Sequence, residues 1–236
     1  MLCLRQLNRS RTIAYINLKN LIKLLRLKNW IKNTIIIAPI FFAGESLESF
    51  KLIKIITTFL SFSLLASAIY IFNDLNDIEH DRLHPEKKHR PLASSKITLN
   101  HAILMCISLI ICSFILVSFY LFDAIFIFIS YLIVMILYCL CFRKIAIIDV
   151  GIIAFGFVLR LFVGSISFNI EISSWIIIMT FLTALFISLA KRRDDFIRLA
   201  SNQKIRRESL NGYNSQLIDY MIIILSPIII VCYILY

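Results

Sequence analysis

Four residues could hold a divalent cation together: Asn73, Asp74, Asp77 and Asp81, in the run IFNDLNDIEHDRLHPEKKHRPLA at positions 71–93. On a continuous helix Asp77 lies about 60° and Asp81 about 20° behind Asp74, and Asn73 widens the arc by about 40°, so the four share one face. Like charges this close repel, and each is costly to desolvate beside a bilayer. Mg²⁺ arriving with a diphosphate relieves both costs, because it takes carboxylate and phosphate oxygens together. Basic residues follow at Arg82, Lys87, Lys88 and Arg90, with Pro85 and Pro91 stiffening the turn. A charged stretch between apolar segments is ordinarily a solvated loop. These carboxylates begin inside the helical pattern and keep to one face, which favours a metal site. On that face they have no basic neighbour, so Asp74→Asn or Asp77→Asn is expected to leave metal-free thermal stability unchanged or slightly raised.

The rest of the chain must bring such a face to the edge of a membrane. Of 236 residues, 60% are hydrophobic, with a mean hydropathy of +0.86, well above the roughly 45–50% of soluble domains. A first span lies within LRLKNWIKNTIIIAPIFFAG, with Trp30 at interface depth and Pro39 expected to kink it. Glu45 to Lys54 read as a short outer connection. Further apolar runs fall at 55–74, 99–120, 122–142, 147–168, 172–191 and 215–236. Each is near the ~20 residues that cross ~30 Å of hydrocarbon. The expected fold is all-α, a transmembrane bundle of about seven spans. Residues 12–28 read as a basic amphipathic helix on the membrane surface, with Leu18, Leu21, Ile22 and Leu25 on one face and Lys19, Lys23 and Arg26 on another. That divides the chain into a surface segment, 1–28, and one transmembrane domain, 29–236.

The net charge of +11 could suggest nucleic acid, but its distribution argues against that partner. Twenty-two of the 25 Lys and Arg fall at 5–32, 82–96, 143–144 and 191–207, separated by nearly uncharged connections. That is the signature of cytoplasmic loops in a multi-pass protein of the inner or plasma membrane, and it sets the amino terminus and loops 75–98, 143–146 and 191–214 inside, the carboxyl terminus outside. Five of the six cysteines sit in apolar segments and none form a metal-type pair of pairs. No signal peptide is expected, because residues 1–28 carry seven basic residues and no long apolar core.

Within the spans, Arg160 is an expensive cation, sharing a stripe with Asp149 and Gly156 that a structural salt link would equally explain. Tyr138 and the pair Arg143–Lys144 close the fourth span, where a topology signal is the simpler role for the two cations. Lys191, Arg192 and Arg193 end the sixth span toward the same mouth as the carboxylates.

These residues together resemble the UbiA superfamily of intramembrane prenyltransferases. Asn73-Asp74-x-x-Asp77-x-x-x-Asp81 is similar to its first aspartate motif at every defined position. Arg26, Trp30, Lys32 and Asn33, the run His84 to Pro91, L-R-x-x-x-G at 159–164 and K-R-R at 191–193 look like its decaprenyl-phosphate phosphoribosyltransferase branch. The resemblance implies a bundle around a central cavity, open to the cytoplasm and laterally to lipid, with Mg²⁺ held by Asp74, Asp77 and Asp81 beside Asn73. It also implies transfer of 5-phosphoribosyl from its 1-diphosphate to a polyprenyl phosphate. Lys32, Lys88, Arg90, Lys191 and Arg192 are the candidates for substrate phosphates, joined by Asn33, Tyr138, Lys144 and Arg160. His84 and His89 read as loop residues.

Where prenyl-diphosphate enzymes of the superfamily carry a second Asp-rich motif, this chain has Lys191, Arg192, Arg193, Asp194 and Asp195. That disfavours the alternative of prenyl transfer to an aromatic acceptor. An alcohol phosphotransferase would need Asp-Gly where Asp77-Ile78 stands, and no inverted repeats suggest a transporter. The family usually has eight or nine spans, so the chain is expected to be truncated at its carboxyl end, which keeps an inactive remnant among the alternatives. Self-association is left open.

Overall fold

Lipid offers a bare backbone no hydrogen bonds, so each apolar run must close its own ladder as helix. The computed structural model describes residues 18–44, 49–201 and 213–235, and among these the chain is all-helical, with no strand. In order come α1 (Leu18–Leu25), a 3₁₀ rod (Leu27–Ile37), α2 (Ala38–Ala43), α3 (Ser49–Asn76), α4 (Ile78–Leu83), α5 (Leu99–Tyr120), α6 (Ile125–Leu140), α7 (Ile148–Phe168), α8 (Ser174–Ser201) and α9 (Ser215–Leu235).

Among the described residues six helices are long and apolar enough to cross a membrane, and they match six of the seven expected runs to within a few residues at most ends. The largest difference is α8, which continues to Ser201. Residues 191–195 are therefore helical where a loop was expected, and α3 likewise takes up residues 49–54 of the expected outer connection. The other part of that connection, 45–48, and residues 12–17 of the surface segment lie outside the described residues.

The first expected span is not a regular helix. It is the 3₁₀ rod continued by α2, and Pro39 sits in the first turn of α2, so it kinks nothing. At ~2.0 Å per 3₁₀ residue and ~1.5 Å per α residue, the two pieces still reach about 30 Å. What holds the rod is polar. Trp30 Nε1 donates to Ser67 Oγ at 2.9 Å, Ser67 Oγ donates to the Leu25 carbonyl at 2.9 Å, and Asn33 Nδ2 donates to Ser63 Oγ at 2.9 Å. On its other side Gly164 of α7 touches the rod so closely that a Cβ there would lie 2.0 Å from the Ile36 carbonyl oxygen.

Between helices lipid supplies no hydrophobic drive, so close packing and hydrogen bonds, at ~0.6–2 kcal/mol each, carry the association. Ser113 Oγ on α5 accordingly donates to the Ser61 carbonyl on α3 at 2.8 Å. Phe62, Leu65 and Ile69 of α3 pack against Phe128, Tyr131 and Met135 of α6 and Leu159 and Val163 of α7. A second cluster buries Leu24 of α1 with Ala68, Ile71, Leu92, Ile97 and Ala102, anchoring α1 and the 92–97 loop to α3 and α5. Leu18 and Ile22 stay exposed on α1.

Candidate active site

Helix α3 ends at Asn76, and Asp77 leaves helical geometry for a single residue (φ −102°, ψ 6°). The ladder nonetheless continues across it: Asp77 N–H donates to the Asn73 carbonyl at 3.1 Å and Asp81 N–H to the Asp77 carbonyl at 2.8 Å. The helical spacing of the carboxylates is thereby preserved.

All three carboxylates are buried, Asp74 and Asp81 at 3% exposure and Asp77 at 9%. Each is met by an arginine, from a distant element for Asp74 and Asp77 and from the following loop for Asp81. Arg26, between α1 and the rod, donates to Asp74 and stacks over the Tyr70 ring at 5.3 Å. Arg90 Nη1 bridges Asp74 at 3.0 Å and Asp81 at 2.6 Å. Arg143 Nη1 reaches Asp77 at 2.5 Å and the Asn73 amide oxygen at 3.1 Å, while Asn73 Nδ2 donates to Asp77 at 3.1 Å. Lys87 Nζ stands 3.8 Å from Asp81. Burial, the largest influence, draws the Arg143 guanidinium down, but the hydrogen bond and charge of Asp77, joined by Tyr138 and Cys139, together outweigh it and raise the group above its ordinary value.

Two expectations change here. The carboxylates have basic partners, supplied by other elements, so an Asp→Asn change strips a counter-charge from a buried arginine and should destabilise. Nor do the three carboxylates converge: among the described residues no three His, Cys, Asp or Glu gather to hold a metal, and Asp74 is turned onto Arg26 and Arg90. A protein-only cage of three carboxylates does not fit. Mg²⁺ commonly keeps several waters and takes one or two carboxylates plus substrate phosphates. Asn73, Asp77 and Asp81, which line the cavity, have the donor chemistry for that role.

The cavity holds 1310 Å³. Its wall includes Trp175 at the start of α8 and Lys191 near the far end, so it runs about 24 Å along that helix. Asp77, Asp81, Arg90, Arg143, Lys191 and Arg192 line the charged end, and Phe42, Trp175, Ile176 and Met179 line the apolar one. Lys32, Tyr138 and Arg160 also line it, as expected.

Three of the phosphate candidates fall elsewhere. Lys88 and Lys144 are not among the lining residues, whereas their neighbours Lys87 and Arg143 are. Asn33 is 1% exposed and positions Arg160, accepting from its Nε at 3.0 Å. The other partners of Arg160 are the Gly156 carbonyl at 2.7 Å and Tyr131 Oη at 2.9 Å, so its hydrogen-bond partners among the described residues are all neutral. Phe62, Tyr131 and Phe157 surround the guanidinium at 5.0–5.3 Å. The expected stripe with Asp149 is not a salt link to Arg160: Asp149, fully buried, accepts instead from Arg192 Nε at 2.8 Å.

Sequence reasoning passed over Arg26 as a site residue, named Lys87 only among the basic residues that follow the carboxylates, and weighed Arg143 as a topology signal. Arg26 stood in the opening motif and could have been promoted from it. The one-residue difference between Arg143 and Lys144 carries no sequence signal, because both follow the same span.

The model of the UbiA prenyltransferase family matches residues 34–236. Decaprenyl-phosphate phosphoribosyltransferase of Mycolicibacterium smegmatis is 29% identical over 218 residues, covering 90% of this chain and 68% of that protein. The Corynebacterium glutamicum protein of the same name is 29% identical over 221 residues, covering 92% and 66%. The chain thus spans about two thirds of the length of these relatives. Among solved structures, a UbiA homolog from Archaeoglobus fulgidus bound to DMAPP and Mg²⁺ aligns with TM-score 0.74 at 19% identity, over 90% of this chain and 75% of that one. An identity that low speaks to the shared bundle alone. With the family pattern running from the 3₁₀ rod to the last helix, this membrane-embedded transferase belongs to the UbiA prenyltransferase family.

Proposed function

We propose that the chain transfers 5-phosphoribosyl from its 1-diphosphate to a polyprenyl phosphate, releasing diphosphate, with the charged end of the cavity on the cytoplasmic side of the inner or plasma membrane. The observation that carries this reading is the charge balance of the cavity wall. Eight cations line it (Arg26, Lys32, Lys87, Arg90, Arg143, Arg160, Lys191 and Arg192) against two carboxylates, Asp77 and Asp81. Counting Asp74, Asp149 and Asp195, which pair with lining arginines, still leaves three more cations than carboxylates. The diphosphate, with its Mg²⁺, is common to both candidate reactions. Beyond it, a sugar 5-phosphate and a lipid phosphate add about −1.5 to −2 each at neutral pH, a sum near that excess. A prenyl diphosphate with an aromatic acceptor brings less.

In this reading the incoming diphosphate exchanges partners with the carboxylates. Arg26, Arg90 and Arg143 turn from Asp74, Asp81 and Asp77 to phosphate oxygens, which frees Asp77 and Asp81, with Asn73, to hold Mg²⁺. When bound, the cation would supply charge neutralisation of the leaving diphosphate. Lys191 and Arg192 take the sugar 5-phosphate, and the apolar stretch toward Trp175 accepts the lipid chain. An oxygen of the lipid phosphate, already ionised, forms the new bond to the anomeric carbon as the carbon–diphosphate bond breaks and its electron pair leaves with diphosphate. No general base is required. The names of the curated relatives support the substrate assignment.

Equilibrium binding of phosphoribosyl diphosphate to the detergent-purified protein tests the site. Binding should require Mg²⁺ and weaken at least about tenfold in Asp77→Asn, by loss of a charge-assisted contact. Equal binding with and without the cation, in wild type and variant, would refute it.

A further inference from the structure

Asp149 is fully buried, yet the transfer just described gives it no role. It lies at the meeting of three elements. Its Oδ2 accepts from Arg192 Nε of α8 at 2.8 Å, and its Oδ1 accepts from the hydroxyl of Tyr213, just ahead of α9, at 2.5 Å. The same Tyr213 oxygen accepts from the Ile147 backbone N–H at 2.7 Å. Ile147 makes that bond from φ 70°, ψ −48°, a γ-turn-like positive-φ conformation that costs a β-branched residue on the order of 1–3 kcal/mol. Burial, then the bond to Asp149, push the Tyr213 phenol up, so it stays protonated and donates.

The result is a relay of fixed orientation, Ile147 N–H to Tyr213 to Asp149 to Arg192. Holding Arg192 by Nε sets the plane of the guanidinium, and its residue is part of the cavity wall. Arg192 Nη1 also stands 3.6 Å from Asp195 Oδ2, so the fork is hydrogen-bonded at Nε, steadied at Nη1 and leaves Nη2 for a substrate oxygen. A fork held in this way is suited to recognition of a phosphate, whereas a swivelling one loses rotamer entropy at each encounter.

We propose that Tyr213 and Asp149 are positioning residues that orient Arg192 toward a phosphate group of the anionic substrate. This rests on the reading of Arg192 as a phosphate-binding residue. Neither partner touches substrate; each acts through the guanidinium.

A double-mutant cycle reads this directly. Dissociation constants for phosphoribosyl diphosphate and for inorganic diphosphate, both with Mg²⁺, are measured on wild type, Tyr213→Phe, Arg192→Gln and the double variant, each checked for monodispersity and thermal midpoint. Tyr213→Phe should weaken phosphoribosyl diphosphate binding about tenfold in the wild-type background and less than about twofold where Arg192 is already absent. Asp149→Asn, which keeps the size of the side chain, supplies the same cycle if Tyr213→Phe does not yield folded protein. Equal weakening in both backgrounds, or none in wild type, overturns the positioning role while leaving the transfer reading intact. An Arg192→Gln protein that binds both ligands like wild type overturns the proposal through its premise. Wild type binding inorganic diphosphate but not phosphoribosyl diphosphate would remove the sugar donor instead, and the cycle on diphosphate then decides the positioning role.

Discussion

Arg143 and Asp77, 66 positions apart, meet at 2.5 Å on the cavity wall, and the same guanidinium nitrogen holds the Asn73 oxygen at 3.1 Å. The pair closes α6 onto the end of α3 and makes the carboxylate face a set of ion pairs rather than a repelling cluster. Breaking a largely buried pair leaves an uncompensated charge, which costs more than the pair itself contributes.

That relationship reverses the stability expected from sequence. Asp74→Asn should lower metal-free stability by about 1–3 kcal/mol, a reduced figure because Arg26 and Arg90 are themselves about a fifth to a quarter exposed. Thermal unfolding in detergent without divalent cations measures it. A midpoint equal to or above wild type would restore the repulsion account.

Neighbouring cations should behave differently. Arg143→Gln should weaken binding of Mg²⁺-diphosphate about tenfold, whereas Lys144→Gln should change it less than about twofold, since only Arg143 lines the cavity. Titration of inorganic diphosphate into both variants separates them, and equal losses would indicate nothing more than a long-range field.

Two glycines of α7 give a packing test. A Cβ at Gly164 would lie 2.0 Å from the Ile36 carbonyl, while one at Gly151 meets nothing within 4 Å. Gly164→Ala should therefore destabilise by about 1–3 kcal/mol through overpacking. Gly151→Ala should be neutral or gain up to ~1 kcal/mol of helix propensity. Comparable thermal midpoints for the two would mean that the 3₁₀ rod does not approach α7 as described.

Much of this is legible in the sequence. Six helices follow their apolar runs because lipid forces every such run to close its own backbone ladder. The carboxylate face was legible because helical spacing continues through Asp77. The 3₁₀ rod was not, since hydropathy sets the length of a span but not its pitch, and the pitch here is held by Ser63 and Ser67 of a different helix. The arginine partners were equally hidden. Arg26 reaches Asp74 across 48 positions and Arg143 reaches Asp77 across 66, separations at which spacing carries no signal. Nothing near Tyr213 in the sequence announces that it completes the setting of Arg192.

Orientation is open to a labelling test. With native cysteines replaced, His89→Cys, at the charged end, should react with a membrane-impermeant maleimide only from the cytoplasmic side. Asn169→Cys, exposed at the opposite end of α7, should react only from outside. Reaction of both from one side would put the site in the wrong compartment.

Transfer itself decides the identity of the two substrates. Membranes containing the protein, supplied with Mg²⁺, labelled phosphoribosyl diphosphate and polyprenyl phosphate, should move label into the lipid and release one diphosphate per transfer. The same membranes, given a prenyl diphosphate and 4-hydroxybenzoate, should form no prenylated product. Label in lipid with none in the aromatic product is the predicted result. An aromatic product, or no transfer to lipid from protein shown to be folded, would contradict it.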